Sequence, residues 1–195
     1  VCIVHVAGLV TEKFNEIRKI CLKHNVKLIE DASHAIGASY NGSLVGSCAH
    51  SDACVFSFHP VKIITTGEGG VATTNNKKIA TKINQLRSHG ITRDENMMES
   101  IPHGDWYYEQ ISLGYNYRMT DIHAAIGITQ IKKISEIRKS RQLVCKRYHE
   151  ELSDLDWIDA PKGDFEAVNP FLYYIRVLNG NRSKLREHMK QCGVD

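Results

Sequence analysis

The chain reads as an α/β protein built on a largely parallel sheet. Three observations point there. A strand, a helix and a second strand follow one another within the first thirty residues, which is a βαβ unit with parallel pairing and a right-handed crossover. A β-prone run, Ala53 to Phe58, ends beside a lysine and a glycine-rich turn. A long helical pattern beginning at Thr120 then separates this part from the last third of the chain.

In order, Cys2 to Val6 is expected to be a short buried strand closed by Ala7-Gly8. Thr11 is placed to cap a helix running to about His24, with Phe14, Ile17, Ile20 and Cys21 on one face. Val26 to Ile29 is the next strand and ends in Glu30-Asp31. Asn41-Gly42 marks a hairpin turn between Ser39 and Leu44. Ala53–Phe58 and Gly70–Thr74 supply two further strands, and a helix from about Asn76 to Ser88 is expected to bury Ile79, Ile83 and Leu86. Residues 89–118 are polar and irregular around Trp106-Tyr107-Tyr108, and so long a connection is commonly functional or covers a partner surface. Thr120-Asp121 opens one long helix to about Leu152 carrying Ile122, Ala125, Ile126, Ile128, Ile131 and Ile134. Pro161 to Asp164 reads as a linker, Phe171–Leu178 as a strand, and Ser183–Gln191 as a helix stopped by Gly193.

Composition narrows the function. The 195 residues suffice for one good core, with 42% hydrophobic and 24% charged residues, as in ordinary globular proteins. A net charge of +3, without basic runs interleaved with aromatics, argues against a nucleic-acid partner. No apolar run approaches the roughly 20 residues that cross a bilayer, and the opening residues lack the pattern of a secretory leader. Six scattered cysteines without a CxxC pair fit reduced thiols in the cytoplasm, with no metal site expected. Val1 falls inside a strand, so a preceding portion is expected.

The residues that can carry chemistry lie near two strand ends. Lys62 is flanked by Val61, Ile63 and Ile64, and apolar surroundings favour the free amine that acts as nucleophile or forms an imine. The ordinary alternative is a lysine whose stem lies on apolar surface while its head reaches water. Asp31 ends a buried strand, where open α/β sheets place ligands, but it also suits a cap. His34 and Ser57 each have an ordinary structural explanation too. A Ser57–His34–Asp31 hydrolytic triad is disfavoured, because Val55-Phe56-Ser57-Phe58-His59 lacks a nucleophile elbow. The second chemistry is that of pyridoxal phosphate, in which a lysine binds the aldehyde and a carboxylate pairs with the ring nitrogen.

Five segments strengthen the second chemistry: Glu30-Asp31-Ala32-Ser33-His34-Ala35-Ile36-Gly37, Ser57-Phe58-His59-Pro60-Val61-Lys62, Gly67-Glu68-Gly69-Gly70, Arg87-Ser88-His89-Gly90 and the run Gly114 to Ala125. In this order and spacing the chain resembles the DegT/DnrJ/EryC1/StrS family of sugar aminotransferases, least clearly after Pro161. The resemblance implies a type I, aspartate-aminotransferase-like fold. Residues 1–140 would be part of a pyridoxal-phosphate-binding large domain with a mixed, mostly parallel sheet. Residues 141–195 would begin a smaller C-terminal domain, and portions before and after would be missing. It also implies a homodimer with shared active sites. By position, Lys62 is similar to the Schiff-base lysine, Asp31 to the ring-nitrogen partner, and His34 to a residue beside the ring. Ser57 matches a phosphate ligand, and Asn116 matches a residue reaching the phosphate in the neighbouring subunit. The implied reaction passes an amino group from an amino acid, usually glutamate, to a keto nucleotide sugar. Ser33-His34-Ala35-Ile36-Gly37 resembles the branch that forms UDP-4-amino-4,6-dideoxy-N-acetyl-β-L-altrosamine. A fold retained as a non-catalytic scaffold is the remaining alternative.

Overall fold

A computed structural model describes residues 1–162 and 165–194; Gly163 and Asp164 of the expected linker lie outside the described residues. Its centre is a four-stranded mixed sheet in the order β1 (Cys2–Val4), β2 (Ile29–Asp31), β5 (Ala53–Ser57), β6 (Gly70–Thr73). The first three strands are parallel and the last is antiparallel. Helix α1 (Phe14–Lys23) makes the crossover from β1 to β2. Its Phe14 and Cys21 pack with Leu28, a fully buried residue, and Ile3, Ile17 and Tyr40 border this cluster. A second cluster gathers Ala32, Ala35, Ala38, Cys48 and Cys54. Small residues there let the segment after β2 lie close to β5. Between these strands, β3 (Ser39–Tyr40) and β4 (Ser43–Leu44) form the expected hairpin. Positive φ at both Asn41 (47°) and Gly42 (77°) is the backbone that a type I′ turn requires.

Downstream, α2 (Lys77–Leu86) is capped by Asn76, whose side chain accepts from the N–H groups of Lys78 and Ile79. Ile79, Ile83 and Leu86 are half-buried rather than buried. The irregular stretch contains a short pair, β7 (Ile91–Thr92) with β8 (Glu109–Gln110). Two helices follow, α3 (Asp121–Lys132) and α4 (Ile134–Leu152). A short ladder of β9 (Ile158–Asp159) and β10 (Arg176–Val177) and a last helix, α5 (Arg182–Gln191), complete the chain.

Several expectations need correction. The first strand is not buried: it is the outer strand of the sheet, and Val4 is about half exposed. Thr11 does not cap α1; its hydroxyl accepts from Lys13 N–H, and the helix starts only at Phe14. Ile20 faces outward. The long helix is two helices. At Lys133 the backbone leaves helical ψ (φ −93°, ψ 0°) and its N–H bonds to Gln130 O, a tight three-residue turn that ends α3. Only Arg176–Val177 of the expected strand 171–178 pairs in a ladder, because the backbone at Pro170 and Phe171 is bonded to Arg141 and Ala7 instead.

Candidate active site

The parallel strands β1, β2 and β5 end side by side, with Val4 opposite Asp31 and Asp31 opposite Val55. Successive residues of a strand point to opposite faces, so Glu30 and Asp31 diverge. Glu30 turns into the interior, where its carboxylate accepts a hydrogen bond from the Ser51 hydroxyl and meets His5 Nε2 at 2.8 Å. His5 is fully buried and Glu30 nearly so. The backbone N–H of His5 also donates to Asp31 O at 3.0 Å, and Ala32 N–H donates to Val55 O at 2.8 Å. The end of β2 is thus tied on both sides before any ligand is considered.

On the opposite face, Asp31 Oδ1 accepts from the hydroxyl (2.6 Å) and the N–H (3.0 Å) of Ser33. Burial opposes its ionisation, but these two hydrogen bonds, with the charges of His34 and Lys62, hold the carboxyl below the usual carboxylate range. His34 moves the other way from a free imidazole's tendency to charge. Burial and the nearby Lys62 lower its pKa, and Asp31 only partly offsets them. Its Nδ1 accepts the Ala7 N–H at 3.3 Å, which leaves the proton of the neutral ring on Nε2.

Lys62 stands in a turn closed by its own N–H to His59 O (2.9 Å), and is half-buried. Ile63 and Ile64 are buried, while Val61 is exposed. Thr66 N–H returns to Phe58 O, and Phe58 N–H reaches Gly69 O, so the lysine turn and the glycine turn are one knot. The glycines admit α3 and the segment before it. A Cβ on Gly69 would lie 2.7 Å from Met119 Cε, and one on Gly127 would lie 2.9 Å from Thr66 Cγ2. Ser57 is at the end of β5, where its hydroxyl accepts from His59 N–H at 3.4 Å.

The structure therefore brings Asp31, His34 and Lys62 into one electrostatic neighbourhood, with Ser57 at the adjoining strand end. Asn116 is elsewhere: it is exposed and bridges to Ser88. The hydrogen bonds of a Ser57–His34–Asp31 relay are not made, since Asp31 is engaged by Ser33 and His34 by Ala7. One residue not expected at the site joins the group. The Phe171 ring stacks on His34 at 4.2 Å between centroids, and Lys62 Nζ lies 5.0 Å from the same ring. No spacing rule links positions 34, 62 and 171; only the tertiary fold does. A cavity of about 1040 Å³ between α4, residues 170–175 and α5 borders Phe171 but is lined by none of Asp31, His34, Ser57 and Lys62.

These residues can receive pyridoxal 5′-phosphate. An amine sits in a partly apolar turn, an aspartate is kept ionised at the neighbouring strand end, and a neutral imidazole already accepts a flat ring against its face. Among the described residues, no group of His, Cys, Asp and Glu could hold a metal ion, and no helix is long and apolar enough to cross a membrane.

Comparison with known proteins agrees with the fold. An uncharacterised protein of Methanocaldococcus jannaschii is 44% identical over 196 residues, covering 98% of this chain and 50% of the relative. A UDP-4-amino-4,6-dideoxy-N-acetyl-β-L-altrosamine transaminase of Campylobacter jejuni is 40% identical over 164 residues, covering 84% of this chain and 41% of that protein. Among solved structures, Helicobacter pylori PseC, an aminotransferase involved in the biosynthesis of pseudoaminic acid, superposes with a TM-score of 0.83 at 28% identity, covering 98% of this chain and 50% of that one. The pyridoxal-phosphate form of a sugar aminotransferase from Streptococcus pneumoniae gives 0.82 at 25% identity, over 98% of this chain and 52% of the other. The chain spans about half the length of the relatives it matches. The sequence pattern of the DegT/DnrJ/EryC1/StrS aminotransferase family matches residues 1–195, and the chain belongs to that family.

Proposed function

We propose that the protein carrying this chain is a pyridoxal-phosphate-dependent aminotransferase acting on a keto nucleotide sugar. The observation that carries the reading is the meeting of the Lys62 amine, the ionised Asp31 and the neutral His34 at the ends of β2 and β5. Bound there, the cofactor supplies an aldehyde and a protonated ring that takes up electrons when a C–H bond next to the amino group breaks. Asp31 pairs with the ring nitrogen and keeps it protonated, a role suited to a carboxylate whose ionised form is favoured. His34 would stand beside the ring. Ser57 binds the phosphate with its hydroxyl. Lys62 would hold the cofactor, and its amine would move the proton as general base and then general acid.

The reading extends to partners and place. Residues 1–140 belong to the cofactor-binding large domain and 141–195 begin the small domain, a division that falls within α4. The active assembly is a homodimer in which Asn116 reaches the phosphate of the neighbouring subunit. Its exposure, beside the stacked and exposed Tyr115 and Tyr117, supports that role. The name of the Campylobacter relative supports a UDP sugar as acceptor. We assign the amination to C4 of a UDP-4-keto-6-deoxy-N-acetylhexosamine, with L-glutamate as donor. Six free thiols support a cytoplasmic location.

The test begins with the intact protein, pyridoxal 5′-phosphate and borohydride, followed by peptide mapping. The tag is expected on Lys62 and is absent from Lys62→Arg; a tag elsewhere, or none, refutes the assignment. A panel of 4-keto and 3-keto nucleotide sugars with glutamate then reads acceptor and regiochemistry. Labelling of Ser57 by a fluorophosphonate would instead favour hydrolysis, and cofactor fixation without amino transfer would favour the scaffold.

A further inference from the structure

The group that closes over Lys62 and His34 comes from more than a hundred residues downstream, and its backbone is pinned on two sides. Phe171 N–H donates to Ala7 O at 3.0 Å, and Arg141 Nη1 donates to the carbonyls of both Pro170 and Phe171 at 3.2 Å. Two residues earlier, the fully buried Asn169 donates from Nδ2 to Ile36 O at 3.0 Å. Its carbonyl presses on Gly8, whose φ of 92° and missing Cβ allow an approach that a side chain would block at 2.7 Å. Val168 O accepts from Arg138 and Gln142 of α4. The ring of Phe171 is therefore placed by the turn after β1 (Val6–Gly8), by the segment after β2 and by α4 together.

We infer that Phe171 is a positioning residue for the two groups it touches: it sets the tilt of the His34 imidazole and confines the Lys62 amine. The two rings lie within 26° of parallel, as stacked rings do, and the amine lies within cation–π range. Phe171 spans two titratable side chains of the same site. The groups facing His34 are Asp31, Lys62, the Ala7 N–H and Phe171 itself. Removing the ring takes away part of the burial that keeps His34 neutral, and frees the lysine chain to sample other rotamers. Orientation of reacting groups is worth orders of magnitude in rate when it is lost. The inference rests on the cofactor role of Lys62 proposed above.

The experiment uses the intact protein, first without cofactor. In the wild type, nuclear Overhauser contacts are expected between the ring protons of His34 and Phe171, with the His34 ring protons displaced by the ring current. In Phe171→Leu that displacement is lost, and the His34 titration midpoint rises toward that of an ordinary imidazole. Phe171→Tyr restores both. With pyridoxal 5′-phosphate added, borohydride fixation at Lys62 slows about tenfold in Phe171→Leu and recovers in Phe171→Tyr. Phe171→Met carries the same expectations should the leucine variant not fold. Missing ring contacts in the wild type, or unchanged His34 titration and fixation rate in the variants, overturn the inference. Ring contacts in a protein whose Lys62 is never fixed would instead overturn the proposed function and leave the geometry standing.

Discussion

The end of β2 and the helix α3 are both rich in apolar residues, yet the chain treats them in opposite ways. Around β2, Leu28 and Cys54 are fully buried, and even the polar groups Glu30, His5 and Ser51 are enclosed and bonded to one another. Along α3, Ile122 is 76% exposed, and Ile126, Ile128 and Ile131 are also exposed. Its isoleucines lie on no single stripe, and a helix that is apolar all round is ordinarily a buried one. The lesson is that the strand ends bearing Asp31 and Lys62 are organised within this chain, whereas the helix packed against the lysine turn presents a surface that the chain itself leaves uncovered. We propose that in the homodimer this surface meets the second copy.

The comparison can be broken most severely at Glu30. Glu30→Ala leaves two buried partners without their acceptor and is expected to destabilise the fold by about 3 kcal/mol, read by denaturant unfolding. A loss below about 0.5 kcal/mol, the scale of ordinary surface changes, would mean that the strand end is not self-supporting. A smaller effect is expected at Asp52. Burial resists its ionisation, but Leu28 N–H (3.0 Å), Arg18 (2.7 Å) and Lys27 (3.1 Å) outweigh it and pull the carboxyl down to about 2. A carboxyl with a depressed folded pKa stabilises above its unfolded value, and that contribution is lost as the pH falls through the folded one. Asp52→Asn should therefore cost about 1–2 kcal/mol at neutral pH and remove the part of the acid sensitivity between about pH 4 and 2. Acid unfolding curves of the two proteins give the difference.

The smallest stability change, and the sharpest contrast, is expected on α3. Ile122→Asp with Ile128→Asp alters side chains already in water, so unfolding free energy measured on the dissociated chain should move by less than about 0.5 kcal/mol. Association read by light scattering should weaken by about tenfold or more, since charge is depleted from the centre of stable interfaces. Strong destabilisation without a change in association would reverse the comparison between the two regions.

Much of this was legible because local patterns and local chemistry agree. The βαβ unit, the Asn41-Gly42 hairpin and the helix starts near Asn76 and Thr120 depend on neighbours within a few residues. The same holds for the placement of Asp31 and Ser57 at strand ends. The break at Lys133 was hidden because an apolar pattern continues across it, and the absent strand after Phe171 because β-prone residues there bond to a helix and a loop instead.

By itself, then, the sequence determined the βαβ unit, the Asn41-Gly42 hairpin and the placement of Asp31 and Ser57 near strand ends, since each depends on side-chain type and short spacing. The tertiary structure alone decided that Asn169 seals the chain against Gly8, that Phe171 lies on His34 and beside Lys62, and that α3 stays exposed. Those outcomes arise from close packing between segments far apart along the chain, where the shape left by one surface, rather than any local preference, selects what fills it.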